Sequence, residues 1–113
     1  MHNNDANLPL KGLRVINFGW YWVCAVITHI LADMGAEVIK VDSHQRLEVL
    51  KSLAPFLNHV EEPNYALWPH NISRNNYGIT VNLQTEAGRD LIKELVKETD
   101  VIAENWTPGT MKK

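Results

Sequence analysis

The chain of 113 residues carries a single cysteine, Cys24, so no disulfide can form within it. A lone thiol fits a reducing, cytoplasmic setting and excludes a disulfide-stapled secreted scaffold. No apolar run approaches the roughly 18 residues that a membrane span requires. The polar opening MHNNDANLP is not a signal peptide. A strong excess of either charge is missing too, since the net charge is only −2. That gives no electrostatic reason to expect nucleic acid or an anionic membrane surface as a partner. Repeats and low-complexity tracts are absent. Apolar residues make up 45% and charged residues 21%, ordinary for one globular domain at most, or a piece of a larger one.

Glycine is scarce at the position where it would carry most meaning. LRVINF (13–18) is a short apolar run with β-branched residues, ended by Gly19, and reads as a buried strand. Residues 22–34 are apolar on almost every side, with Gly35 as the stop, and read as a helix packed on both sheet and neighbours. EVIKV (37–41) is the next strand, closed by Asp42. Strand, helix and strand form a βαβ unit with parallel strands. The junction GWYWVC (19–24) is where an open α/β domain binds its ligand. A dinucleotide turn would need G-x-G-x-x-G, and here the second and third glycine positions fall at Tyr21 and Cys24. Gly19, with Asp42 about where a ribose-binding acid belongs, keeps a nicotinamide-dinucleotide-binding oxidoreductase fragment open as an alternative, against that steric objection.

The middle is less regular. Leu47, Leu50 and Leu53 stand at helical spacing within 46–53, and Pro55 follows as a breaker. Residues 55–78 hold Pro55, Pro63 and Pro69 and no clear period, and read as a long connection. ITVNL (79–83) alternates Ile79, Val81 and Leu83 against Thr80 and Asn82, which predicts a strand. Thr85 is placed to cap a helix over 86–98 whose apolar stripe is Leu91, Ile92, Leu95 and Val96. DVIAEN (100–105) predicts a fourth strand and TPGT (107–110) a turn.

Catalytic signals are thin. The five histidines are scattered and no pair has metal-ligand spacing, so no metal is expected; His29, inside the apolar helix, reads as a hydrogen-bonded core residue. Cys24 stands near a helix N-terminus, where thiol pKa values fall, but without an assignable base it reads as a small buried residue. Ser43, Ser52 and Ser73 lack a G-x-S-x-G context.

Three stretches together do point somewhere. LPLKGLRVINFGWYWV, LADMGAEVIKVD and ITVNLQTEAGRDLIKELVKETDVIAENWTPGT resemble, in order and spacing, the N-terminal segment of the family III CoA-transferases, over residues 8–113. That family includes formyl-CoA transferases, the carnitine and bile-acid CoA-transferases and the α-methylacyl-CoA racemases. The resemblance implies an α/β fold, a Rossmann-like parallel sheet with flanking helices, as the incomplete N-terminal piece of a larger domain. Residues 1–8 are then expected to be a flexible lead-in. It implies coenzyme A or acyl-CoA as substrate, a carboxylic acid as the second substrate, and no metal, nucleic acid or membrane. The full-length protein is expected to be a homodimer and this piece to self-associate.

By the same resemblance the CoA-binding residues are Trp20, Trp22, Val23, Arg46, Arg74, Gln84, Asn105, Trp106 and Lys113. Val23, Cys24 and Ala25 stand where the family usually has A-G-P. Arg74, Asn75, Asn76, Tyr77 and Gly78 replace a basic R-N-K-R-S run, so two positive charges are missing. Gln84 stands where many members have lysine, which leaves Arg46, Arg74 or Lys113 for phosphates. Trp20 and Trp22 either contact the acyl or pantetheine arm or pack on neighbouring elements. The family's catalytic aspartate, which attacks the acyl thioester to give a mixed anhydride, lies downstream of the matched segment. Asp33, Asp42, Asp90 and Asp100 match structural positions. Two alternatives accompany this reading: an acyl-CoA racemase, and a non-catalytic CoA-binding module.

Overall fold

The computed structural model describes residues 7–112. Four parallel strands form one sheet in the order β3-β2-β1-β4: β1 (Arg14–Asn17), β2 (Glu37–Asp42), β3 (Tyr77–Thr80) and β4 (Val101–Ala103). In register, Val15 lies beside Val38 on one side and Val101 on the other. The expected α/β architecture is therefore what the chain adopts.

The two crossovers run in opposite directions across the sheet. β1 passes through α1 (Trp22–Asp33) to β2, whereas β3 passes through α3 (Glu86–Lys97) back to β4 on the far edge. Right-handed crossovers in opposite directions put their helices on opposite faces. The core divides accordingly. Val15 and Val38 pack with Ala32 and Ala36 on the α1 side, and Ile16, Phe18, Val41 and Val81 pack with Ile92 on the α3 side.

Several expectations shift in detail. The ladder of β3 is Tyr77–Thr80, not 79–83, because the chain leaves the sheet edge once Val81 has bonded to Asp42. Ile79, Val81 and Leu83 nevertheless pack together as their alternation predicts. Thr85 caps α3, its hydroxyl accepting the Gly88 N–H at 3.1 Å. Leu91, placed in the apolar stripe, is 59% exposed, so the buried contact falls to Ile92 with Leu95 and Val96.

In place of a helix over 46–53 there is one tight 3-10 turn, Val49–Ser52. The backbone at Glu48 is extended (φ −61°, ψ 128°), so the helical turn starts only at Val49. Residues 55–78 are not a bare connection. They contain α2 (Leu67–Ile72) and short 3-10 turns, and Ile72 joins Leu50 and Ala25 in a third core cluster against α1. His29 was expected to be hydrogen-bonded, yet its buried Nδ1 has no partner. Of residues 1–8, residues 1–6 lie outside those described, and Leu8 lies against Gly35.

Candidate functional site

In an open parallel sheet, ligands bind beyond the carboxyl ends of the strands, where the strand order reverses. Here that point lies between β1 and β4, since the chain first builds outward from β1 through β2 to β3 and then returns to the other flank. β1 runs into Phe18 and Gly19, and β4 into Asn105 and Trp106.

The turn after β1 is held from several sides. A Cβ at Gly19 would stand 1.9 Å from Cys24 Cβ, so only glycine fits. Asn17, buried in the strand, accepts the Gly19 N–H at 2.7 Å and donates to Thr28 Oγ1 at 2.8 Å, and Thr28 donates to the Cys24 carbonyl. Trp20 donates its N–H to Asn105 Oδ1, and Asn105 Nδ2 donates to the Trp20 carbonyl, each at 2.7 Å. The Arg46 guanidinium lies over the Trp20 ring, 4.4 Å from its centroid, a cation–π contact. Phe18 and Trp106 meet with centroids 5.8 Å apart. Together these side chains frame a slot of about 80 Å3 that is also lined by Lys40, Asp42, Ser43 and Leu83. A slot of this size is too small to enclose a nucleotide.

Beneath the slot the electrostatics are internal. Lys40 is largely buried and donates to the Gly19 carbonyl. Burial pushes its pKa down from the ordinary lysine value, while Asp42 and Glu48 push it back up. Asp42 also accepts from Lys51 at 2.9 Å. Burial raises the Cys24 thiol, with Lys40 pulling the other way. A thiol so placed is largely protonated, as a buried, unreactive cysteine should be. Among the described residues no group of three or more His, Cys, Asp or Glu is placed to hold a metal ion.

The structure thus gathers Trp20, Arg46, Asn105 and Trp106 at one rim. Trp22 turns away and packs edge-on against Trp68, centroids 4.5 Å apart, in the α1–α2 cluster. Val23 is 60% exposed on α1 and does not line the slot. Arg74 is at the opposite end of α1, paired with Asp33 at 2.7 Å. Gln84 follows the slot-lining Leu83 and is exposed, its backbone engaged by Asn82 and Arg89. Lys113 lies outside the described residues. Asp90 pairs with Lys93, and Asp100 accepts the Arg14 N–H. Sequence reasoning passed over Lys40 and Glu48. The first had a visible signal, a charge inside the apolar strand EVIKV; the second had none.

The Tyr21 N–H, at the start of α1, is taken by Glu48 Oε1 at 3.0 Å. A pyrophosphate placed there, as in a dinucleotide-binding turn, would meet a buried carboxylate as well as Tyr21 and Cys24 in place of two glycines. The dinucleotide alternative therefore fails on charge as well as on space.

Comparison with known proteins agrees. Residues 10–113 match CoA-transferase family III. A succinyl-CoA–D-citramalate CoA-transferase of Chloroflexus aurantiacus is 34% identical over 91% of this chain and 25% of its own length. A succinyl-CoA:glutarate CoA-transferase of Mus musculus is 34% identical over 95% of this chain and 24% of its own. Among solved structures, a CAIB/BAIF family protein from Brucella suis superposes with a TM-score of 0.79 at 31% identity, covering 94% of this chain and 28% of that one. The chain thus spans about a quarter of the length of these relatives. A parallel sheet in the order β3-β2-β1-β4, an aromatic turn at its switch point and a match over nearly the whole sequence lead to one conclusion: this chain belongs to CoA-transferase family III.

Proposed function

We propose that this chain forms the N-terminal, CoA-facing part of a transferase that moves CoA from an acyl-CoA thioester to a carboxylic acid. The observation that carries the reading is the pairing of Arg46 with Trp20 at the switch point, beside Asn105 and Trp106. The guanidinium offers fixed positive charge for a phosphate. The indole and Trp106 offer apolar faces for the pantetheine arm or the base. The charge, the amide and the aromatic faces at this rim suit a nucleotide-bearing thioester.

The nucleophile of the reaction is assigned to an aspartate outside these 113 residues. Its carboxylate attacks the acyl carbonyl, the C–S bond breaks, and an acyl-aspartyl anhydride and CoA thiolate result. The thiolate then attacks the aspartyl carbonyl, releasing the first acid and leaving an aspartyl thioester for the acceptor acid to take over. Family relatives named for succinyl-CoA and a second acid support a carboxylate acceptor. On this reading the full-length protein acts as a cytoplasmic homodimer.

Titration with CoA tests the binding half. The 113-residue chain is expected to bind in the millimolar range, about 4 kcal/mol, and Arg46→Ala to abolish what binding there is. Acyl-CoA mixed with a carboxylic acid should show no CoA exchange with this chain and exchange with the full-length protein. Turnover by the chain alone, or undiminished CoA binding in Arg46→Ala, overturns the assignment.

A further inference from the structure

The loop after β2 reaches the β1–α1 turn with two side chains, not one. Arg46 covers the Trp20 ring from outside. Two residues later Glu48 points inward, is 7% exposed, and accepts the Tyr21 N–H at 3.0 Å. Tyr21 is the residue before α1, and its backbone stands at φ 67°, ψ −151°. That region is essentially reserved for glycine, and another residue stays there only when its surroundings over-determine it.

The surroundings do so here. On one side Trp20 is bound through both its N–H and its carbonyl to Asn105. On the other, α1 begins without any capping side chain of its own. Glu48 supplies that cap from a distant part of the chain, setting a carboxylate at the positive end of the helix dipole. Lys40 reaches the same turn, donating to the Gly19 carbonyl. Glu48 thus engages the turn through a backbone donor at a helix end.

We propose that Glu48 is a positioning residue for the ligand site: by holding the Tyr21 N–H it locks the β1–α1 turn in its left-handed form and so presents the Trp20 ring to Arg46. It also fills the helix N-terminus that open α/β folds commonly offer to phosphate. The ligand's phosphates are thereby directed to the basic rim instead. The effect on ligand affinity rests on the CoA reading above, whereas the locking of the turn does not.

Hydrogen–deuterium exchange and CoA titration on the full-length protein test both parts. In Glu48→Ala the amides of 19–23 should exchange about tenfold faster, with α3 unchanged, and CoA should bind about tenfold more weakly, the cost of losing one hydrogen bond to the turn. Glu48→Gln keeps a carbonyl acceptor in the same place and should restore both to within about twofold. Unchanged exchange at 19–23 in Glu48→Ala overturns the proposal. So does a Glu48→Gln protein whose turn is as loose as that of Glu48→Ala, because charge alone would then be at work. If Glu48→Ala unfolds throughout, protection of 19–23 in Glu48→Gln decides the matter in the same sense. Absence of CoA binding by the parent protein would overturn the functional reading, while the exchange pattern would still answer for Glu48.

Discussion

Asn105 holds the main chain of Trp20 by both edges, accepting its N–H and donating to its carbonyl at 2.7 Å each. The two residues lie just past the carboxyl ends of β1 and β4, so the paired bonds span the point where the strand order reverses. One side-chain amide thereby joins the two halves of the fold at the mouth of the slot. An amide suits this task because it carries a donor and an acceptor on one planar group.

Asn105→Ala should remove both bonds and cost about 1–2 kcal/mol. Asn105→Asp keeps an acceptor for the N–H and loses the donor, so it should fall between the parent and the alanine variant. Urea unfolding with an unchanged denaturant slope measures the loss. An Asn105→Ala protein as stable as the parent would show that the turn is held without this latch.

Gly19→Ala should be among the most damaging single changes, because the added methyl would lie 1.9 Å from Cys24 Cβ and 2.5 Å from its Sγ. Overpacking of this severity costs about 3 kcal/mol. Removing the opposing Cβ in a Gly19→Ala, Cys24→Gly double variant should recover part of the loss, less the penalty of glycine in a helix, about 1 kcal/mol. Thermal denaturation of the three variants checks this, and an additive double variant would place the strain elsewhere.

Arg74→Ala should leave CoA affinity unchanged, because Arg74 ties the loop before β3 to the C-terminal end of α1, away from the slot. It should instead alter the pH dependence of stability. The Arg74 hydrogen bond, then the one from Asn75, holds the Asp33 carboxyl below the ordinary carboxylate range. A depressed carboxyl pKa contributes stability above the unfolded value of 3.8, and that stability fades as pH falls through the folded value. Both partners are well exposed, so the contribution is at most about 1 kcal/mol. The parent–variant difference in unfolding midpoint should therefore be present at neutral pH and shrink as the medium becomes more acidic than the unfolded value. A fall in CoA affinity on Arg74→Ala would restore Arg74 to the ligand site.

Val23, Ile27, Ile30 and Met34 stand exposed along α1 and its end. Spacings of four, three and four residues put them on one stripe of the helix. A contiguous apolar surface beyond a few hundred Å2 drives association. The 113-residue chain should therefore sediment as an oligomer, and Ile27→Ser with Ile30→Ser should return it to monomer. Monomeric behaviour of the unaltered chain at high concentration would contradict this.

What the sequence by itself determined was local. Short apolar runs marked β1, β2 and β4, Gly35 ended α1, Thr85 opened α3, and the order of segments placed the chain in its family. Those features depend on neighbours a few residues apart, which a sequence displays directly. The boundaries that drifted, at β3 and at 46–53, depend on where the chain leaves the sheet edge and where the backbone at Glu48 is extended. Only the tertiary structure decided the fates of Trp20 and Trp22. They are the same residue type two positions apart, yet one faces Arg46 at the slot and the other packs on Trp68. Between them lies Tyr21 at positive φ, which reverses the direction of the chain and leaves no mark in any hydrophobic pattern. The partners that hold this turn, Glu48 and Asn105, stand 27 and 85 residues from the groups they bind. Strand order alone brings them there, and no local signal encodes strand order.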